Sequence, residues 1–167
     1  MADLTEVKCE NCGASMQLNV DRGCYVCPYC ESEFVPQANV DGVRVMGPGD
    51  SDCPLCRVQL SQARLLEYGM LYCEACQGML IPMDDLSPLA EDLRASRGMP
   101  AYTGLPPDPH SLDRQVDCPA CRKRMDTHPY YGPGNVIIDT CETCELLWLD
   151  RGELKRIALA PDHHYST

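Results

Sequence analysis

Twelve of the thirteen cysteines stand in six Cys-x-x-Cys pairs, and the pairs fall into three sets: Cys9/Cys12 with Cys27/Cys30, Cys53/Cys56 with Cys73/Cys76, and Cys118/Cys121 with Cys141/Cys144. Within the sets the pairs are 14, 16 and 19 residues apart. Two residues between cysteines let a tight turn aim both sulfurs at one point, and the longer gap is a hairpin that brings a second turn opposite the first. The chemistry this spacing serves is tetrahedral capture of a divalent cation by four thiolates. Three such sets predict three Zn2+ ions. Sulfur count alone also suits iron, so a rubredoxin-like electron carrier stands as an alternative, separable by colour.

The same count argues against catalysis. Four sulfurs fill a tetrahedron, whereas a catalytic metal needs an open position. The histidines at 110, 128, 163 and 164 have no ligand spacing beyond the adjacency of His163 and His164. Dithiol redox chemistry is served by an isolated pair on alternating strands and helices, a pattern this chain lacks. The expectation is a non-enzyme without a small-molecule substrate. Cys24, three residues before Cys27, is expected to be a small buried strand residue, the alternative being a spare thiol that exchanges onto the first metal.

The elements that must hold these cysteines are small. The chain has 167 residues with one Phe, one Trp, 14 Pro and 12 Gly, a composition poor for a single large core. Units of roughly 30 residues bury too little apolar surface to offset chain ordering. A structural zinc contributes on the order of 10–16 kcal/mol of apparent binding energy toward folding.

Aligned on the last cysteine of each set, three repeats emerge. Glu-Ser-Glu-Phe-Val-Pro follows Cys30, Gln-Gly-Met-Leu-Ile-Pro follows Cys76, and Glu-Leu-Leu-Trp-Leu-Asp follows Cys144. The fourth and fifth positions are apolar each time (Phe34/Val35, Leu80/Ile81, Trp148/Leu149), which predicts a short strand leaving the second metal turn. Hairpin turns are expected at Asn19–Gly23, Glu67–Gly69 and Gly132–Asn135, each feeding a strand back to the metal. Leu86, Leu89, Ala90 and Leu93 have helical spacing behind a Ser87 cap and Pro88. Leu154, Ile157 and Ala158 follow a capping-box pattern of Asp150 and Glu153.

The fold class expected is small, metal-stabilised and mainly β: three tandem ribbons, the second and third each followed by a short α-helix. The domains are ribbon 1 at 1–37, a linker at 38–51, ribbon 2 plus helix at 52–97, a Pro-rich linker at 98–116, ribbon 3 plus helix at 117–160, and a tail at 161–167. The linkers read as extended and semi-rigid.

The third unit carries Cys118-Pro-Ala-Cys121, Cys141-Glu-Thr-Cys144 and then Trp148-Leu-Asp150-Arg-Gly152-Glu153-Leu154. With that ending it resembles the transcription-factor-IIB-type zinc ribbon family. The second unit resembles a diverged copy, keeping Cys53-Pro-Leu-Cys56, Tyr72-Cys73-Glu-Ala-Cys76 and Gly78. The first, Cys9-Glu-Asn-Cys12-Gly13 with Cys27-Pro28-Tyr-Cys30, is similar to generic zinc ribbons. The resemblance implies zinc at the four cysteines of each set on antiparallel strands, and a protein-docking role in transcription machinery or another large assembly.

The formal charge is −11, and three zinc–thiolate sites, each of −2, lower it to about −17. Such a surface favours protein partners with basic surfaces over the phosphate backbone, which is held by Lys and Arg. A local exception is the third hairpin, where Arg122, Lys123 and Arg124 stand near Tyr130 and Tyr131. These five, with Trp148 if exposed, are the candidate partner contacts. A nucleic-acid-binding protein acting through that hairpin is the rival reading. No apolar run has membrane-spanning length and no signal-peptide core is present, so a cytoplasmic protein without a membrane partner is expected.

Overall fold

The computed structural model describes residues 6–19, 21–39, 41–97, 112–130 and 136–159. The expected Gly132–Asn135 turn, most of the Pro-rich linker, and Tyr131 lie outside the described residues. The architecture is mainly β with two short helices, as expected. Strands β1 (Gln17–Asn19), β2 (Cys24–Val26) and β3 (Glu33–Phe34) form one antiparallel sheet. The strands β4 (Arg44–Asp52), β5 (Gln59–Leu65), β6 (Tyr68–Tyr72), β7 (Met79–Pro82), β8 (Asp126–Pro129), β9 (Ile137–Cys141) and β10 (Leu146–Leu149) form another, in the order β4-β5-β6-β7-β10-β9-β8.

Ribbons 2 and 3 are therefore not separate beads on stiff linkers, as the sequence led us to expect, but halves of one sheet. Their junction is the antiparallel pair β7–β10, with Leu147 opposite Ile81, Trp148 opposite Leu80 and Leu149 opposite Met79. Leu80 and Trp148 occupy the same repeat position, fourth after the last cysteine, so the pairing is symmetric about them. A local two-fold relates one ribbon to the other. Helices α1 (Leu86–Arg97) and α2 (Glu153–Leu159) follow β7 and β10 and pack against each other. Arg94 donates from Nε to the Ala158 carbonyl at 2.9 Å and from Nη2 to the Ile157 carbonyl at 3.2 Å, serving orphan acceptors in the last turn of α2.

Strand alternation gives the sheet two faces. Met79, Ile81, Leu147 and Leu149 face the helices and pack with Leu86, Leu89, Leu93, Leu154 and Ile157. Leu80 and Trp148 face the other way, joining Leu60, Val116, Met125 and the buried metal-turn cysteines Cys53, Cys73, Cys118 and Cys141. The indole of Trp148 lies directly on the backbone of Gly78; a methyl group there would sit 2.2 Å from the ring. The apolar residues after each last cysteine thus hold the two ribbons together.

Several local expectations are corrected. The 38–51 linker contributes β4, which pairs with β5 through two register shifts flanking Gly47 and Pro48. Gly-Pro-Gly reads as a loop, yet proline and glycine also suit a bulged edge strand. The requirement is visible at Gly49, where a Cβ would meet the Leu60 carbonyl oxygen at 2.7 Å. The β5–β6 turn falls at Leu66–Glu67, with Leu66 at φ 52° and Gly69 inside the strand. Helix α1 begins at Leu86 behind a 3-10 turn (Met83–Asp85), so Ser87 is not its cap. Pro88 still falls in the first turn, where the missing N–H has no helical partner to lose.

Ribbon 1 touches the larger sheet through polar and aromatic edges. Arg64 donates to the Asp21 carbonyl at 3.1 Å and to that of Glu67 at 3.0 Å. Tyr25 and Leu18 lie close to Gly47 of β4. Among the described residues no helix is long and apolar enough to cross a membrane.

Candidate metal centres

Each Cys-x-x-Cys pair is a tight turn, and five of the six share one backbone hydrogen bond. The residue after the second cysteine donates its N–H to the carbonyl of the first: Gly13 to Cys9 at 2.7 Å, Glu31 to Cys27 at 3.0 Å, Arg57 to Cys53 at 3.0 Å, Gln77 to Cys73 at 2.8 Å and Arg122 to Cys118 at 2.8 Å. That residue adopts the left-handed conformation in all six turns, with φ between 55° at Glu145 and 77° at Gly13. Only Gly13 takes it without steric cost. The turn also points backbone N–H groups at sulfur, as from Cys56 to Cys53 Sγ at 3.3 Å and from Cys76 to Cys73 Sγ at 3.5 Å.

The three predicted sets converge as predicted. In each, the four sulfurs lie within 4.8 Å of one another. The pairs Cys12–Cys27, Cys9–Cys30, Cys121–Cys141 and Cys53–Cys76 are 3.4, 3.5, 3.6 and 3.7 Å apart. A tetrahedron with metal–sulfur bonds of about 2.3 Å has edges of about 3.8 Å, so the quartets fit such an ion. Electrostatics agrees. Without a cation the thiols of a quartet are driven apart in acidity: the backbone N–H of Lys123 is the main influence drawing Cys121 down to about 7, while the hydrogen bond with Cys121, then burial, pushes Cys144 up to about 12. In ribbon 1 the hydroxyl and N–H of Ser32 draw Cys30 down to about 6. A 2+ ion relieves that conflict by sharing all four charges.

The quartets differ in shelter. Cys12 and Cys56 are exposed, whereas ribbon 3 has two buried and two half-buried ligands. Cys24 is buried in β2 and belongs to no quartet, in line with the small-strand-residue reading.

Among the candidate partner contacts, Trp148 is fully buried, and its Nε1 donates to Asp150 Oδ1 at 3.0 Å. It belongs to the ribbon junction and is corrected from contact to core. Tyr130 is half-buried against the helix-side core. Arg124 is exposed but engaged, donating from Nε to Asp117 Oδ1 at 2.7 Å and from Nη1 to Gln115. Arg122 and Lys123 are exposed.

Sequence reasoning missed a buried polar cluster behind ribbon 3. Arg114, placed in the linker, reaches both Asp139, which is fully buried, and Asp150. Thr127 also donates to Asp139. The backbone N–H of Asp150 donates to Glu153 Oε2 at 2.7 Å, one arm of the expected capping box. The other arm is absent because the Asp150 carboxylate is committed to Trp148 and Arg114. Burial, and secondarily the charges of Asp150 and Asp139, hold the Glu153 carboxyl up at about 7, despite that backbone hydrogen bond and the nearby Arg114. The sequence carries no local signal for this cluster, because Asp139 and Asp150 lie 25 and 36 residues beyond Arg114.

Residues 117–160 match the family model described as transcription factor zinc-finger, the TFIIB-type zinc ribbon. Ribbon 3 with α2 is the segment matched. No curated protein and no solved structure matches the chain.

Proposed function

We propose that this protein is a non-enzymatic adaptor that binds three Zn2+ ions, one per quartet, and uses the ribbons they fold to dock on protein partners with basic surfaces. The observation that carries the reading is the convergence of four sulfurs to within 4.8 Å of one another, repeated three times. Four thiolates complete the coordination of each ion, which suits a structural role and leaves activity to the surfaces. The match of ribbon 3 to a transcription factor zinc-finger makes a transcription assembly the favoured host. The acidic surface supports basic partners, and several small contacts on one chain raise effective concentration. On ribbon 3, Arg122 and Lys123 are the available cations of the third hairpin.

Elemental analysis of the purified protein is expected to give three zinc per chain and a colourless solution; a coloured, iron-loaded protein would overturn the zinc assignment. Capture from lysate with zinc-loaded bait is expected to recover partners lost by baits carrying Cys→Ser changes in the quartets. Identical recoveries, or none, would defeat the adaptor reading. A salt-sensitive gel shift abolished by Arg122→Glu with Lys123→Glu would move the function to nucleic acid.

A further inference from the structure

The third strand of each repeat behaves differently in ribbon 1. In ribbons 2 and 3 its outer edge is paired, β7 against β10. In ribbon 1 the equivalent strand β3 pairs with β2 alone, and among the described residues its outer edge has no strand partner. The Ser32 carbonyl accepts from Cys27 N–H at 2.9 Å, and Phe34 is registered on Tyr25. By alternation Glu33 turns its N–H and C=O groups outward, and Val35, directly after β3, holds the repeat position that Ile81 occupies in the β7–β10 ladder. The side chains match that open edge: Phe34 is 43 % and Val35 50 % exposed, against 3 % and 1 % for Leu80 and Ile81.

Both edges of the seven-stranded sheet are guarded. Strand β4 carries Pro48 and two register shifts, and β8 ends at Pro129, devices that discourage pairing. Pro36 is no such guard. Its repeat equivalent Pro82 lies in the β7–β10 ladder opposite Leu146. Charge selects the occupant. Residues 1–37 hold two Lys/Arg against six Asp/Glu, and Glu31 and Glu33 are exposed beside the edge, Glu33 already paired with Arg22. A second copy would bring like charge, and an edge this short falls well under the ~1,200 Å² of a stable dimer.

We propose that the outer edge of β3 is a docking strand for an extended segment of a partner protein that carries an apolar residue beside a lysine or arginine. The inference rests on the adaptor reading and names one of its contact sites. The β7–β10 junction supplies the template: the segment runs antiparallel, its apolar residue opposite Phe34 and its cation opposite Glu33. Main-chain pairing supplies attachment and the two side chains supply choice.

The test uses the zinc-loaded full chain, ¹⁵N-labelled, titrated with the peptide acetyl-Lys-Thr-Val-Leu-Lys-Thr-Lys-amide. Amide shifts are expected to concentrate at Glu31, Ser32, Glu33, Phe34 and Val35. Val35→Pro removes the N–H that a docked strand would use at this position and is expected to weaken binding about tenfold with zinc content unchanged. Glu33→Lys is expected to weaken it about fivefold and to recover with a peptide whose lysines are glutamates. Shifts elsewhere, no shifts, or equal binding of the acidic peptide to the unaltered chain would overturn the proposal. So would self-association through residues 31–35, which assigns the edge to a second copy. Zinc-dependent partner capture that survives in Val35→Pro would defeat this site while leaving the adaptor reading standing.

Discussion

Ribbon 1 and the joined pair of ribbons 2 and 3 are built from the same metal turns, yet they solve the problem of small size differently. In the joined pair, the third strands bury each other, and the following helices close the opposite face. The cysteines there merge with an apolar cluster around Trp148. The ribbon 1 cysteines belong to neither core cluster. A repeat with a sister can share its core, while a repeat alone must rely on its ion. The same repeat position is core in one place and surface in the other.

The largest expected effect is therefore from metal removal. Chelation should unfold ribbon 1 outright, since zinc contributes on the order of 10 kcal/mol to folding such a unit. The joined pair should loosen around its cysteines but keep the helix-side core. Hydrogen exchange during EDTA treatment checks this: amides of β1–β3 are expected to lose protection before those of β7 and β10. Simultaneous loss in both regions would mean that the shared sheet confers no independence from metal.

Next in size is the junction itself. Trp148→Ala removes a fully buried ring from between two ribbons and is expected to cost about 3–5 kcal/mol in denaturant unfolding. Phe34→Ala, at the equivalent position of ribbon 1, loses little burial and is expected to cost under about 1 kcal/mol. Equal costs at the two positions would break the comparison.

How far the sequence discloses this molecule follows from which interactions are local. The quartets are legible because coordination geometry is written in spacing. The strands after each last cysteine are legible from adjacent apolar residues at fixed repeat positions. What spacing does not carry is that Leu80 and Trp148 face one another, because strand pairing across 68 residues leaves no local mark. Residues 47–49 read as a linker because Gly-Pro-Gly is compatible with both a loop and a bulged edge. The left-handed residues Glu31, Arg57, Gln77, Arg122 and Glu145 carry no compositional signal; the metal turn imposes their φ. Arg114 was invisible for a similar reason, its partners Asp139 and Asp150 being 25 and 36 residues away.

Arg114 marks a further difference, since ribbon 3 has a buried ionic latch on the segment entering it. Arg114→Ala would take its cationic partner from Asp139, which is fully buried in the unaltered protein, and is expected to cost about 3 kcal/mol. The denaturation midpoint measures it. Replacing Arg114 and Asp139 together by Met and Asn should recover part of the loss, because the uncompensated charge is then gone. A double variant no better than the single one would show that Arg114 acts through packing.

The smallest effect sits at Glu153, where the latch meets α2. Its folded carboxyl titrates near 7, above its ordinary 4.5, chiefly because burial disfavours the charge. A raised value favours the protonated form in the folded state. The associated stability is complete below the unfolded value and is lost as pH rises through about 7. Glu153→Gln keeps an acceptor for the Asp150 N–H and carries no charge at any pH. The variant's advantage over the unaltered protein should grow as pH rises, by about 1 kcal/mol between pH 6 and pH 8.5 once solvent relaxation is allowed for. Thermal unfolding of the zinc-loaded chain across that range checks the sign. Lower pH would protonate the metal thiolates and mix in loss of the ion. A gain that is flat with pH would place the benefit in helix capping, and a loss at pH 8.5 would mean that the Arg114 guanidinium outweighs burial at this carboxylate.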